Sequence, residues 1–274
     1  MPAKYKQAIH PVAVFKETWS ICWKNLAKLS TIYLIFNLPI IAVYLTPMAS
    51  KLQSQKPSLS LLFLFFLPVF LLSIWGHIAL LLGAKKAVDL EDYTVGQSIS
   101  QVRGFFLKYL GTVLIITLFF MSVTILGVVS IAIIFALLLK VNKILAALIC
   151  LTLAIVVLGV LIYFMLRWSL AATVCVLENT RPVAALKRSL ALVMDYVHPV
   201  VGTFCLIVLT YIACVAPFFI IGALSGVGNN ISQPNLAGTI YSIFINILLV
   251  PFLATISVVL YKKLKEALEA NVHA

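Results

Sequence analysis

The sequence predicts an all-α membrane protein. Its six transmembrane helices are arranged as three helical hairpins, each preceded by an amphipathic helix on the inner face. Three observations lead there. The 274 residues are 63% hydrophobic and 10% charged, with a mean hydropathy of +1.14. A soluble domain carries about 25% charged residues, and a folded globule of this size cannot hide so much apolar surface from water. The apolar residues fall into six runs long enough for a ~30 Å hydrocarbon core: 29–46, 61–83, 109–139, 144–177, 200–224 and 237–261. The third observation is charge. Sixteen of the twenty Lys and Arg fall on the side of the termini, and only Lys51, Lys56, Lys140 and Lys143 fall opposite. The positive-inside rule then puts both termini in the cytoplasm. All eight acids lie on that inner side.

Each element has a local reason. The segments PVAVFKETWSICWKNLAKLSTIY, TVGQSISQVRGFFLKYLGTVLII and PVAALKRSLALVMDYVHPVVGTF lie over one another at shifts of 83 and 88 residues. Each predicts an amphipathic helix of about fifteen residues entering a span, so one integral domain, 1–274, carries pseudo-repeats over about 11–83, 94–177 and 182–261. Phe15, Trp19, Cys22, Trp23 and Leu26 predict the apolar face of the first such helix. Val95, Ile99, Val102, Phe106 and Tyr109 do so for the second, and Val183, Leu186, Leu190, Val193, Met194 and Val197 for the third. These are helical spacings. Thr94 and Gln97 form a capping box, and Pro11 and Pro182 suit a first helical turn. Short helices with a basic polar face belong along an interface. Pro68 and Pro217 predict kinks.

The charge balance of +12 reads as topology and attraction to anionic lipid rather than as a nucleic-acid footprint. The first apolar run starts about thirty residues in and reads as a signal anchor rather than a cleaved leader. Cys22, Cys150, Cys175, Cys205 and Cys214 include no C-x-x-C pair, so neither a disulfide framework nor a zinc site is expected. No P-loop, H-E-x-x-H or G-x-S-x-G motif occurs, and no cofactor is expected.

The segment RWSLAATVCVLENTRPVAALKRSLALV, residues 167–193, resembles the signature of the glycerophosphoryl diester phosphodiesterase membrane-domain family and its YciC-like relatives. Arg167 and Trp168 match its start, Glu178 its acid, and Ala185, Leu186 and Ser189 its later part. Residues after Leu192 read VMDYVHP where many members carry a basic residue and a glycine. The resemblance implies a six-helix protein of the bacterial inner (plasma) membrane. The phosphodiesterase activity of fused members belongs to a separate soluble domain. A chain ending at Ala274 is expected to carry the membrane portion alone.

Candidate ligand-binding residues are Arg167, His77, Asn246, Glu178 and Ser189. Arg167 is an intramembrane charge, and such charges mark headgroup or ion sites. The structural alternative is that it fixes helix depth. Glu178 is expected to pair with Arg181 or Lys187. His77 could relay a proton or hydrogen-bond a neighbouring helix. Asn246, like Asn37, sits near a proline break. Ser189 is flanked by Lys187 and Arg188 but has no base to make it a nucleophile. The expected function is non-enzymatic and lipid-associated: holding a headgroup, organising the bilayer or docking a membrane protein partner, with anionic membrane lipids as ligands and no nucleic acid. The alternative is a transporter or channel for an amphipathic or anionic solute.

Overall fold

The computed structural model describes residues 9–45, 59–139, 142–224 and 236–272. Among these the regular elements are all helical: α1 (Pro11–Lys24), α2 (Leu26–Leu45), α3 (Leu59–Val88), α4 (Val95–Gln101) with a following 3-10 turn (Val102–Gly104), α5 (Phe106–Leu138), α6 (Lys143–Trp168), α7 (Ala171–Leu177), α8 (Pro182–Met194), α9 (Val197–Leu224) and α10 (Leu236–Val272). Lys4, Lys6, Lys51, Lys56, Lys140 and the polar stretch 229–232 lie outside the described residues.

Among the described residues, five segments are long and apolar enough to cross a membrane: Leu67–Val88, Phe106–Leu138, Lys143–Leu177, Val197–Pro217 and Ile240–Ala270. They fit a multi-pass membrane protein. The first expected run falls on α2, whose apolar part, Leu26–Pro39, is shorter than these.

Helix starts follow the sequence. Pro11 and Pro182 open α1 and α8, where the missing N–H would have had no partner anyway. The Thr94 hydroxyl accepts from the Gln97 N–H at 3.4 Å, and the Gln97 side chain accepts from the Thr94 N–H at 3.2 Å. Asn142 Oδ1 accepts from the N–H groups of Ile144 and Leu145 and starts α6. Leu90 and Asn179 adopt positive φ, 57° and 53°, and turn the chain after α3 and α7.

The residues form two compact units, Met1–Phe106 with His198–Ala274, and Leu107–Val197. In the first, α10 packs on α1, α2 and α3, and α4 packs on α2 and α3. Leu29, Ile32, Ile78, Leu81, Ile256 and Leu264 fill its core. Half of the most apolar window in Leu67–Val88, and half of that in Ile240–Ala270, is buried. In the second unit, α8 packs on α6 and α7, and a Cβ on Gly127 would lie 2.9 Å from the Val157 side chain. Here only 6% of each long apolar window is buried. Surface this apolar is matched to lipid, not water.

The amphipathic helices keep the expected period and bury part of the expected stripes, Cys22, Val102, Tyr109, Leu186 and Val193, but the buried face is shifted around each helix. In α1 the buried residues are Val14, Thr18 and Cys22, while Trp19 and Trp23 stand 51% and 64% exposed. In α8 the buried set is Ala185, Leu186, Ser189, Leu192 and Val193, with Val183 and Met194 exposed. Helix α4 is seven residues and a 3-10 turn rather than fifteen residues. The reason is steric. Each of these helices lies close against a long one, and small residues allow that approach. Thr18, Ser98 and Ser189 are all fully buried. At the entry of two of these helices the pattern sharpens. A Cβ on Gly202 would meet the Pro11 ring at 2.6 Å, and one on Gly111 would meet the Pro182 ring at 2.9 Å.

The proline break at Pro251 is repaired across helices. Pro251 has no N–H for the carbonyl four residues earlier. That carbonyl, on Ile247, accepts from the Ser30 hydroxyl at 3.1 Å instead. The Tyr241 hydroxyl donates to the Cys214 carbonyl, three residues before Pro217.

Gly202→Ala drives a methyl into a proline ring and should lower the thermal midpoint in detergent, at a cost of about 1–3 kcal/mol. Gly159→Ala, where nothing lies within 4 Å, should raise it slightly through helix propensity. Equal midpoints for the two variants would contradict the packing described.

Candidate functional site

The segment from Arg167 to Ser189 is organised around a helix break. Helix α6 ends at Trp168, Ser169 and Leu170 turn, and α7 resumes at Ala171. The Ser169 hydroxyl bonds the Leu166 carbonyl at 2.7 Å. A helix end leaves carbonyls without intrahelical donors. One of them, on Arg167, accepts from the buried Ser189 hydroxyl at 2.8 Å. Ser189 thus joins α8 to the end of α6 through the main chain of the arginine. The Arg167 guanidinium lies over the Tyr163 ring, 4.5 Å from its centroid, one turn earlier on α6. It is half-buried and holds no ion pair among the described residues.

Glu178 pairs with Arg188, Nε to Oε1 3.5 Å. The pairing follows from the turn at Asn179, which brings the second turn of α8 beside the end of α7. Lys108 clamps that turn, donating to the Asn179 carbonyl at 3.1 Å and its Oδ1 at 2.8 Å. Arg167, Glu178 and Ser189 therefore share the second unit. His77 and Asn246 belong to the first. His77 is half-buried in α3, and Asn246 donates to the Ser242 carbonyl at 2.8 Å, one turn back in α10.

A second candidate surface was hidden in the first expected apolar stripe. Phe15, Trp19 and Trp23 stack along α1, with centroids 6.5 and 6.0 Å apart and planes within 13° and 11°. Phe252 of α10 meets Phe15 and Trp19 edge-on at 5.2 and 5.9 Å. Beside this ladder an apolar groove is lined by Trp19, Cys22, Trp23, Leu26, Leu248 and Phe252. The i, i+4 spacing of the three aromatics was the available signal. It marks a stripe, but not whether protein or lipid covers it.

Around the ladder the electrostatics are ordered by ion pairs. Glu17 binds Lys263 at 2.7 Å, Asp89 binds Lys262 at 3.0 Å, and Asp92 binds Lys28 at 3.0 Å. The Lys28 hydrogen bond and charge hold the Asp92 carboxyl below its ordinary value. Lys28 also sits over the Tyr93 ring at 4.9 Å. Burial pushes the Tyr93 phenol up to about 12, with the nearby Cys22 adding to the rise. Burial likewise pushes the Cys22 thiol up to about 11, against a hydrogen bond with Thr255 that lowers it. A thiol so placed stays protonated near neutrality and is a poor nucleophile.

No family model, curated protein or solved structure matches the chain. The family resemblance rests on the residues of the segment itself.

Two outcomes test this geometry. Ser189→Ala strips the Arg167 carbonyl of its donor and should cost about 1–3 kcal/mol, read as a lower thermal midpoint. Lys187→Ala, on the exposed side of α8, should change stability by no more than about 0.5 kcal/mol. For Tyr93 the folded state holds the phenol proton more tightly than the unfolded chain, whose ordinary value is 10.0. Its contribution to stability is complete below about pH 10 and is lost as pH rises through about 12. A phenolate absorbance titration should show a late-titrating tyrosine that Tyr93→Phe removes.

Proposed function

We propose that this chain is a non-enzymatic, lipid-associated protein of a bacterial inner membrane. It crosses six times as three hairpins, with both termini, α1, α4 and α8 on the cytoplasmic face. The reading also places it with the glycerophosphoryl diester phosphodiesterase membrane-domain family, on the motif residues of the Arg167–Ser189 segment.

One observation carries the lipid reading. Helix α1 presents stacked, largely exposed Trp19 and Trp23 beside exposed Lys16 and Lys24, a pairing of aromatic and basic residues suited to a headgroup interface. The sparse burial of α5 and α6 supports it. The half-buried Arg167, without an acidic partner among the described residues, supports a second reading, a path for an anionic solute. That reading needs water beside Arg167.

The protein is expected to retain anionic phospholipid selectively when purified from mixed-lipid nanodiscs, read by mass spectrometry of the extracted lipid. Retention in proportion to the bulk mixture would sink the lipid reading. Reporters fused to each end should both register the cytoplasm, and opposite sides would end the six-crossing map. Cysteines placed along α6 around Arg167 should resist a membrane-impermeant maleimide. Labelling on one continuous face would favour the solute path.

A further inference from the structure

We infer that Arg167 holds the phosphate of a phospholipid at the inner edge of the hydrocarbon core, on the outward face of α6. The site rests on the lipid-associated reading and gives it a place and a ligand class. Three features of the α5–α6 hairpin converge on it.

The first is level. The far end of the hairpin carries Asn142 and Lys143, polar groups that belong at the opposite interface. From Lys143 to Tyr163, α6 climbs about 30 Å at about 1.5 Å per residue. From Leu138 back to Phe119, α5 covers about 28 Å. A hydrocarbon core is ~30 Å thick, so both helices, standing upright, leave it at the same level. There the aromatic residues gather. Phe119 meets Phe164 and Trp168 at 4.8 and 4.7 Å, and Phe164 meets Trp168 at 5.0 Å. Residues 121–162 hold a single aromatic, Phe135. Aromatic belts mark the headgroup boundary, and Arg167 lies within this one. Its charge is therefore at the edge of the core rather than in mid-bilayer.

The second is face. Arg167 continues a stripe of α6 formed by Ile149, Val156, Val160 and Tyr163, at helical spacing. All four are exposed. The side of α6 that meets α5 is a different one. It carries Val157, close against Gly127, and Phe164, against Phe119. Whatever covers the apolar stripe also lies beside Arg167, and a stripe this apolar is matched to lipid. A solute cavity would need the arginine to face other helices.

The third is unspent donor capacity. The guanidinium lies over the Tyr163 ring, 4.5 Å from its centroid, which occupies its face and leaves its edge. Among the described residues it holds no ion pair, and Glu178 is paired with Arg188. The edge of a guanidinium is a planar fork of N–H donors that fits two oxygens of one phosphate. Zwitterionic and anionic phospholipids both carry that group. One cation selects the phosphate, not the net charge of the headgroup.

The test is solid-state NMR of the full chain, labelled at the arginine guanidinium carbons, in phosphatidylcholine bilayers. The difference between the wild type and Arg167→Lys isolates the Arg167 carbon among the four arginines. Lipid phosphorus should dephase that carbon strongly, as in direct contact, and equally in phosphatidylglycerol. No dephasing in either lipid overturns the site. Dephasing in phosphatidylglycerol alone would mean selection by headgroup charge and would overturn the phosphate assignment. A bilayer of phosphate-free glycosyl diacylglycerol with added inorganic phosphate should give none. Dephasing there would make free phosphate the ligand and overturn the site in favour of the solute path.

Trp168 reports the level independently. With Trp19, Trp23 and Trp75 replaced by Phe, lipid brominated near the glycerol should quench Trp168 more strongly than lipid brominated near the acyl ends. The reverse order would put the aromatic collar in mid-bilayer and overturn the assignment. If the triple variant unfolds, the difference between the wild type and Trp168→Phe supplies the same signal. Anionic-lipid retention, read on the same protein, separates the two levels of the reading. Retention without dephasing defeats this site alone, whereas loss of both defeats the lipid reading as well.

Discussion

Backbone carbonyls freed inside an apolar environment must find donors, because no water is there to supply them. This constraint runs through the structure. Pro251 frees the Ile247 carbonyl, and Ser30 of α2 answers it. The break after Trp168 frees the Arg167 carbonyl, and Ser189 of α8 answers that. The Tyr241 hydroxyl of α10 likewise reaches across to a carbonyl of α9, that of Cys214, next to the Ala213 carbonyl that Pro217 frees. In each case the donor comes from another helix of the same unit. A local break in one helix thus becomes a cross-link to another, and irregularity supplies specificity. Hydrophobic burial cannot do this in lipid, where tails are as apolar as leucine.

Close approach is the companion condition. A hydroxyl reaches a carbonyl on a neighbouring helix only if the backbones come near. Small residues sit where they do. Gly202 lies beneath Pro11, Gly111 beneath Pro182, Gly76 beside Phe36 and Gly127 beside Val157. Thr112 and Thr203 follow two of these glycines and are fully buried, their hydroxyls turned back to carbonyls four residues earlier. A side chain with no free donor can be packed against apolar neighbours without penalty.

This explains what was legible in the sequence and what was not. Long apolar runs and caps depend on the residues within one helix, so α3, α5, α6, α9 and α10, the Thr94 capping box and the prolines opening α1 and α8 could be read directly. Which stripe of an amphipathic helix faces protein depends on two surfaces. Phe15, Trp19 and Trp23 are the larger apolar residues and attracted the assignment, yet Val14 and Thr18 join Cys22 in the interface because small residues let α1 lie closer to α10. Ser189 could be singled out from its motif, but its partner is a main-chain oxygen that no sequence pattern marks. Thr18 and Ser98, buried at similar joints, left no signal beyond being small. Arg188 could not be read as a partner of Glu178 because the turn at Asn179 sets the register of α8, and a positive φ at an asparagine is decided by that packing.

The same distinction bears on where function sits in the Arg167–Ser189 segment. Its charged and polar groups are largely occupied with each other: Glu178 with Arg188, Lys108 with Asn179, Ser189 with the Arg167 carbonyl. A segment bonded this way holds α6, α7 and α8 in register. Among the described residues the Arg167 guanidinium holds no ion pair and rests on Tyr163, an arrangement worth about 0.5–1 kcal/mol at an exposed site. On α1 the balance is reversed. Its only acid is spent on Lys263, while Lys16 and Lys24 hold no ion pair among the described residues and Trp19 and Trp23 stand largely exposed. Recognition needs groups that folding has not consumed, and by that measure the exposed aromatic edge of α1 is as open to a partner as the motif-bearing turn.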